Sequence, residues 1–244
     1  MSATYYPVSD QGLNIARGLV KGVSSVHKFG AVPSMSTATT GTVWDVDDTL
    51  YPWAAFGTAN VAVVSANAAN DDGKNVIVEG LDSNLNFQTE TLTISSGAAT
   101  GVKLFKRLHR AQMSDGNSNN VVIKVNANTV ATILAGKSQT LMAVYTVANS
   151  CTGYLTNIEA TAEAGKDATI WLYVRDPESD TFRIKHTFEI SGDGGTYQKT
   201  WAVPREYPAG SDIDIRATTR SNNGRYAVSF CVDLITDGLG GHQG

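Results

Sequence analysis

Charge is scarce in this chain. Acidic and basic side chains make up 17% of its 244 residues, and the formal net charge is −4. That balance gives no positive field to gather a phosphate backbone, so nucleic acid is not an expected partner. Cysteine is scarcer still. Two residues, Cys151 and Cys231, cannot form a disulfide framework, and their pairing stays open. No apolar run approaches the roughly 18 residues of a membrane-spanning helix. The opening Met1–Pro7 lacks a basic segment followed by an apolar one, so no secretory leader is expected. His27, His109, His186 and His242 are scattered, without the spacing of metal ligands. Helical periodicity is absent after residue 42.

What the chain has instead is period-two alternation. Ile170, Leu172 and Val174 alternate with Trp171, Tyr173 and Arg175. Ile184, His186, Phe188 and Ile190 oppose Arg183, Lys185, Thr187 and Glu189. Ile213, Ile215 and Ala217 oppose Asp212, Asp214 and Arg216, and Tyr226 to Leu234 repeats the pattern. Alternation of this kind marks strands with one buried and one wet face. Val76–Val78 and Thr89–Ile94 flank a polar turn and read as a hairpin. Val102–Met113, Val121–Val125, Thr129–Leu134, Leu141–Val147 and Tyr154–Ala162 add further strands. About a dozen short strands predict an all-β chain, a jelly-roll-like antiparallel β-sandwich over residues 43–236. Residues 237–244 read as a Gly-rich tail.

Residues 1–42 carry no core of their own. Leu13, Ala16, Val20 and Val23 share a helical face, interrupted by Gly12, Gly18 and Gly22. This stretch is expected to be an extended arm that docks on a neighbour. Its candidate interface residues are Leu13, Leu19, Val20, Phe29 and Met35, with Trp44 and Trp53 anchoring the hinge to the sandwich.

That hinge, Thr42–Trp53, contains Asp45-Val46-Asp47-Asp48-Thr49-Leu50, which resembles the nucleophile motif of haloacid-dehalogenase phosphatases. The chemistry needs a parallel α/β sheet and further acids holding Mg²⁺. Crossover helices for such a sheet are lacking, so the stretch reads as a polar turn and no catalytic residue is assigned. Asp82-Ser83-Asn84-Leu85-Asn86 starts like a calcium loop, but Phe87 replaces its glycine and Thr93 its bidentate Glu. Loose calcium sites at Asp45, Asp47, Asp48 or at Asp71-Asp72 stay open, and no metal or cofactor is assigned. Lys103, Lys106, Arg107 and Arg110 form a basic segment without a second basic-aromatic strand beside it. Trp171, Tyr173 and Tyr197 suggest a sugar-stacking platform.

Several segments resemble virion structural proteins of tailed bacteriophages, especially marine podophages. They are Val26–Gly30 with Val43–Asp45, Val78–Asn86, Ser138–Thr146, Thr152–Thr156, Phe182–His186 and Ser211–Thr218. Together they span most of residues 26–236, with their order intact. The resemblance implies a non-enzymatic β-rich particle component, assembled in the host cytoplasm and contacting capsid or tail subunits and copies of itself. It transfers no catalytic or binding residue. A head decoration or cement protein is the leading expectation. A tail, collar or fibre-adaptor protein is the alternative, followed by a carbohydrate-binding host-recognition module and last by a phosphatase.

Overall fold

A computed structural model of the chain describes residues 11–66, 69–192, 195–220 and 223–236. The expected tail at 237–244 and the first ten residues of the expected arm lie outside them. Apart from the short helix α1 (Gln11–Ala16) and two 3-10 turns, the regular elements described are sixteen strands, all in antiparallel sheets. The all-β expectation therefore holds. Its single sandwich, however, resolves into two, each with its own apolar core.

The first sandwich is built from β1 (Val23–Met35), β2 (Thr40–Thr42) and the strands after residue 143. These are β10 (Val144–Thr146), β11 (Cys151–Ala162), β12 (Ala168–Arg175), β13 (Arg183–Ile190), β14 (Thr196–Tyr207), β15 (Asp212–Thr219) and β16 (Gly224–Thr236). One sheet runs β1-β16-β11-β14 and the other β10-β15-β12-β13, with β2 also on β15. The register makes β2 and β10 two halves of one strand. Thr40, Gly41 and Thr42 pair with Thr218, Ala217 and Arg216, and Val144, Tyr145 and Thr146 continue with Asp214, Ile213 and Asp212. The missing rung, opposite Ile215, is shared: Val43 N donates to Ile215 O (2.8 Å) and Ile215 N to Ala143 O (3.1 Å). Counting that split strand once leaves eight strand positions, ordered 1-8-3-6 and 2-7-4-5 across the two sheets. This is jelly-roll winding.

The second sandwich is inserted into the middle of that strand. It comprises β3 (Asn60–Ala66), β4 (Asn75–Leu81), β5 (Phe87–Thr93), β6 (Ala98–Phe105), β7 (Arg107–Met113), β8 (Val121–Val125) and β9 (Asn128–Ile133). They form the sheets β6-β3-β8-β9 and β5-β4-β7. The chain enters and leaves side by side, where Trp44 bridges Met142. The expected long strand over Val102–Met113 breaks at Lys106, whose N–H turns to Leu81 O (2.7 Å), and its halves join different sheets.

The expected arm needs the largest correction. Of the described residues of that arm, only 11–22 precede the jelly roll. β1 pairs with β16 from Val23↔Ile235 to Met35↔Gly224, and β2 is half of the split strand. Met35 is fully buried in the first core, so it cannot serve as an interface residue. Trp44 and Trp53 are likewise core, 2% and 8% exposed, packed edge-on against Tyr51 at 5.3 and 4.8 Å in the second sandwich. Their large apolar area is satisfied within the chain. Thr42–Trp53 is still a boundary, but one between two sandwiches. Cys151 stands opposite Thr236 and Cys231 opposite Asn157 on neighbouring strands. Five residues along β16 therefore separate them, well past the ~7 Å Cα limit for a disulfide.

Candidate functional site at the junction of the two sandwiches

The densest polar cluster lies where the inserted sandwich covers the outer face of the split strand and β15. Alternation along β15 turns Asp212, Asp214 and Arg216 to that face, and both carboxylates are buried by the insert. Asp212 accepts bonds from two guanidiniums. Arg107, at the start of β7, donates Nε to Oδ1 (2.8 Å) and Nη2 to Oδ2 (3.1 Å). Arg175, at the end of β12, donates Nε (2.9 Å) and Nη2 (2.5 Å) to Oδ2. The Thr146 hydroxyl adds a bond to Oδ1 at 2.5 Å. Asp214 accepts from Thr42 Oγ1 (2.9 Å), Trp53 Nε1 (3.0 Å) and Arg216 Nε (2.9 Å). Burial raises the Asp214 carboxyl above its ordinary range, against the pull of Arg216 and the Trp53 and Thr42 hydrogen bonds. The guanidiniums of Arg107 and Arg175 also lie over the Trp53 ring, at 5.7 and 5.6 Å, and Arg175 over Phe182 at 4.9 Å. Such stacking on a ring face adds attraction where water is thin.

A second group continues the junction. Lys28, on the inward face of β1, is buried and donates to His109 O. Burial first, and then Arg110, push its pKa down to about 7. His109 Nε2 accepts from Thr146 N–H (3.3 Å), which leaves its own proton on Nδ1. Burial, Lys28 and Arg107 hold that ring neutral, well below the ordinary histidine range. These charges tie the sandwiches together, and each guanidinium is committed to a carboxylate or an aromatic face.

The residues singled out by motif do not converge. Asp45 is buried, and its Oδ2 accepts Leu141 N–H (3.0 Å). Asp47 caps Thr49 at the domain boundary, N–H at 2.9 Å and Oγ1 at 2.5 Å, while Asp48 accepts Ser36 N–H at 3.2 Å. The three aspartates thus turn to three separate partners. The Asp71-Asp72 pair also splits: Asp71 takes Lys74 and the N–H groups of Ser118 and Asn119, and Asp72 those of Ser96 and Gly97. Asp82 caps its own turn through Asn84 and Asn86 N–H.

In the basic segment, Arg107 is held by Asp212 and Arg110 by Glu79 (2.7 Å), while Lys103 and Lys106 donate to Thr89 O and Gly57 O. Trp171 and Tyr173 meet edge-on at 6.4 Å, with Arg216 over Tyr173 at 4.2 Å, and Tyr197 stacks on Phe188. The three rings form no shared platform. His186 is half-buried and bonded to Tyr197 OH (2.8 Å). Among the interface candidates, Leu13, Leu19 and Phe29 are 45%, 42% and 37% exposed, and Val20 is half-buried.

Asp45 gives the junction a pH dependence. Burial raises its carboxyl to about 7, so between pH ~4 and ~7 the folded chain holds a proton that the unfolded chain releases. That contribution to stability is therefore lost as pH rises through 7. Asp45→Asn is expected to match wild type near pH 4 and to exceed it by ~2–4 kcal/mol at pH 8. Urea denaturation at the two pH values checks this, and an equal difference at both would exclude Asp45 as the source.

No family model matches the chain, and no curated protein matches it. Among solved structures, the chain is similar to an empty virus-like particle of Cowpea mosaic virus at 8% identity and TM-score 0.23, covering 74% of this chain and 81% of that one. Broad bean stain virus gives 11% identity and TM-score 0.21, with 75% and 87% covered. Infectious bursal disease virus, Gx strain, gives 10% identity and TM-score 0.24, with 91% and 72% covered. The jelly-roll assignment stands on the strand order of this chain.

Proposed function

We propose that this protein is a non-enzymatic structural component of a tailed-bacteriophage virion, a head decoration or cement protein assembled in the host cytoplasm. The observation that carries the reading is a jelly roll whose N-terminal lead-in leaves Leu13 and Leu19 exposed ahead of β1. The segment resemblance over residues 26–236 supports the particle assignment. Docking of residues 1–22 on a neighbouring virion subunit buries that apolar surface, at about 25 cal/mol per Å². Repetition on a symmetric particle multiplies the modest gain through avidity. Jelly rolls also serve as lectin domains, but Trp171, Tyr173 and Tyr197 supply no common face for a sugar here.

Deletion of residues 1–22 is expected to cut incorporation into particles at least about tenfold while the chain stays folded, a loss on the order of 1.4 kcal/mol or more per docking event. Quantitative mass spectrometry of purified virions reads both this loss and the copy number. Undiminished incorporation would refute the docking segment. Six or twelve copies per particle would move the protein to the tail, collar or a fibre adaptor.

A further inference from the structure

Lys28 is the only lysine buried among the described residues, at 6% exposed. It lines a cavity of about 300 Å³ where the edge strand β1 meets β4, β5 and β7 of the insert. What it lacks there is a counter-charge. Its Nζ donates to a neutral carbonyl, His109 O, and no carboxylate pairs with it among the described residues. Glu79 lines the same cavity, but both of its oxygens are taken. Arg110 donates Nε to Oε2 (2.7 Å) and Nη2 to Oε1 (2.9 Å). An ammonium buried without a carboxylate is costly, and the amine sheds its proton instead. The Arg110 guanidinium pushes in the same direction, and Glu79 opposes it. With a pKa of about 7, roughly half of such amines are free base at neutral pH, against less than about one in a thousand for an exposed lysine.

Tyr145 is part of the same wall. It is 1% exposed, and its hydroxyl has no hydrogen-bond partner among the described residues. Buried polar groups are nearly always paired. A lysine without a counter-ion and a hydroxyl without a partner, both at one cavity, are more than packing explains. The volume lies at the low end for small-molecule sites, so the occupant is small. A desolvated amine beside another cation is the usual setting of a lysine that attacks carbonyl carbon.

We propose that Lys28 is a covalent attachment site for small aldehydes, which enter the cavity and form an imine with its Nζ. The Nζ lone pair attacks the carbonyl carbon, and the C=O π pair passes to the oxygen. Both Nζ protons end on that oxygen, which leaves as water while the C=N bond forms. The step needs neither oxidant nor reductant. It goes beyond the virion reading and does not depend on it.

Glycolaldehyde with cyanoborohydride, which traps the imine as a secondary amine, tests the site on the full chain. Peptide mass spectrometry reads the rate at each lysine. At neutral pH, Lys28 is expected to be labelled at least about tenfold faster than Lys124 and Lys199, which are exposed. Between pH ~6 and ~9 the ratio of the Lys28 rate to the Lys124 rate should fall at least about tenfold. Lys28 has by then lost its proton, while Lys124 is still losing its own. Unfolding in urea should remove the preference. Arg110→Ala alters a side chain that is 49% exposed, takes away the nearby cation and frees Glu79 to pair with Lys28. It should therefore flatten the fall of that ratio several-fold. Labelling of Lys28 no faster than Lys124, a ratio constant with pH, a preference that survives urea, or a fall unchanged in Arg110→Ala would each overturn the proposal.

Discussion

Asp212→Ala is expected to cost ~3–5 kcal/mol, the range for removing one partner of a buried ion pair and leaving the other charge unpaired. Here two cations are stranded. The side chains of Arg107 and Arg175 are 12% and 18% exposed, against 2% for Asp212. Arg110→Ala is the contrast: its partner Glu79 is 30% exposed and Arg110 itself 49%, so that loss should stay below ~1 kcal/mol. Arg107 belongs to the inserted sandwich and Arg175 to the jelly roll, so Asp212 is a shared pin. Its removal should also split one urea transition into two, with Trp53 fluorescence following the junction. A loss near that of Arg110→Ala, with a single transition kept, would mean that apolar contacts alone hold the sandwiches together.

β12 and β16 were legible because each keeps one face on a core, and β13 because its second half does, with Phe188 and Ile190 buried but Ile184 51% exposed; all three lie at or near their expected ranges. β15 was legible as a strand and misread at its faces. Ile213 and Ile215 point into the jelly roll, but Asp212 and Asp214, taken as the wet side, are covered by an insert that local periodicity cannot reveal. The signal was Arg216 in line with two aspartates on one face, a charge pattern that a solvated strand does not need. β1 was missed for a different reason. Its inward positions in mid-strand are Lys28, Gly30 and Val32, so the apolar period is broken twice. Gly30 is obligatory there, because a Cβ would meet Val43 O at 2.2 Å and Ala143 N at 2.3 Å, where the chain crosses between sandwiches. β14 has only Trp201 and Tyr207 buried, as an edge strand whose pairing shifts opposite Leu155 and Asn157. The network residues Arg107, Arg175, Asp212 and Asp214 meet only through tertiary contacts, so no motif spacing could have gathered them.

The split strand makes the second large prediction. Val43 supplies the N–H and Ala143 the carbonyl of one rung, and Ala143 N–H donates back to Val43 O at 2.9 Å. One residue in that place would supply both groups to Ile215. Joining Val43 directly to Val144 should therefore rebuild a continuous strand from Thr40 to Thr146 with its register on β15 intact. The excised chain is expected to fold as a complete jelly roll, with an all-β circular dichroism spectrum and a single cooperative transition. Its stability should be lower, because Asp214 loses Trp53 and Asp212 loses Arg107, although both carboxylates regain water and escape the burial cost. The insert should fold alone as well. Its ends meet at the Trp44–Met142 bridge, which is the geometry that lets a domain be inserted without strain. It also keeps the Trp44, Tyr51 and Trp53 cluster in its own core. Dispersed amide spectra from both halves would establish two folding units. If either half instead gives a collapsed, undispersed spectrum, the junction network is a condition of folding, and the Asp212 substitution should then abolish the native state outright.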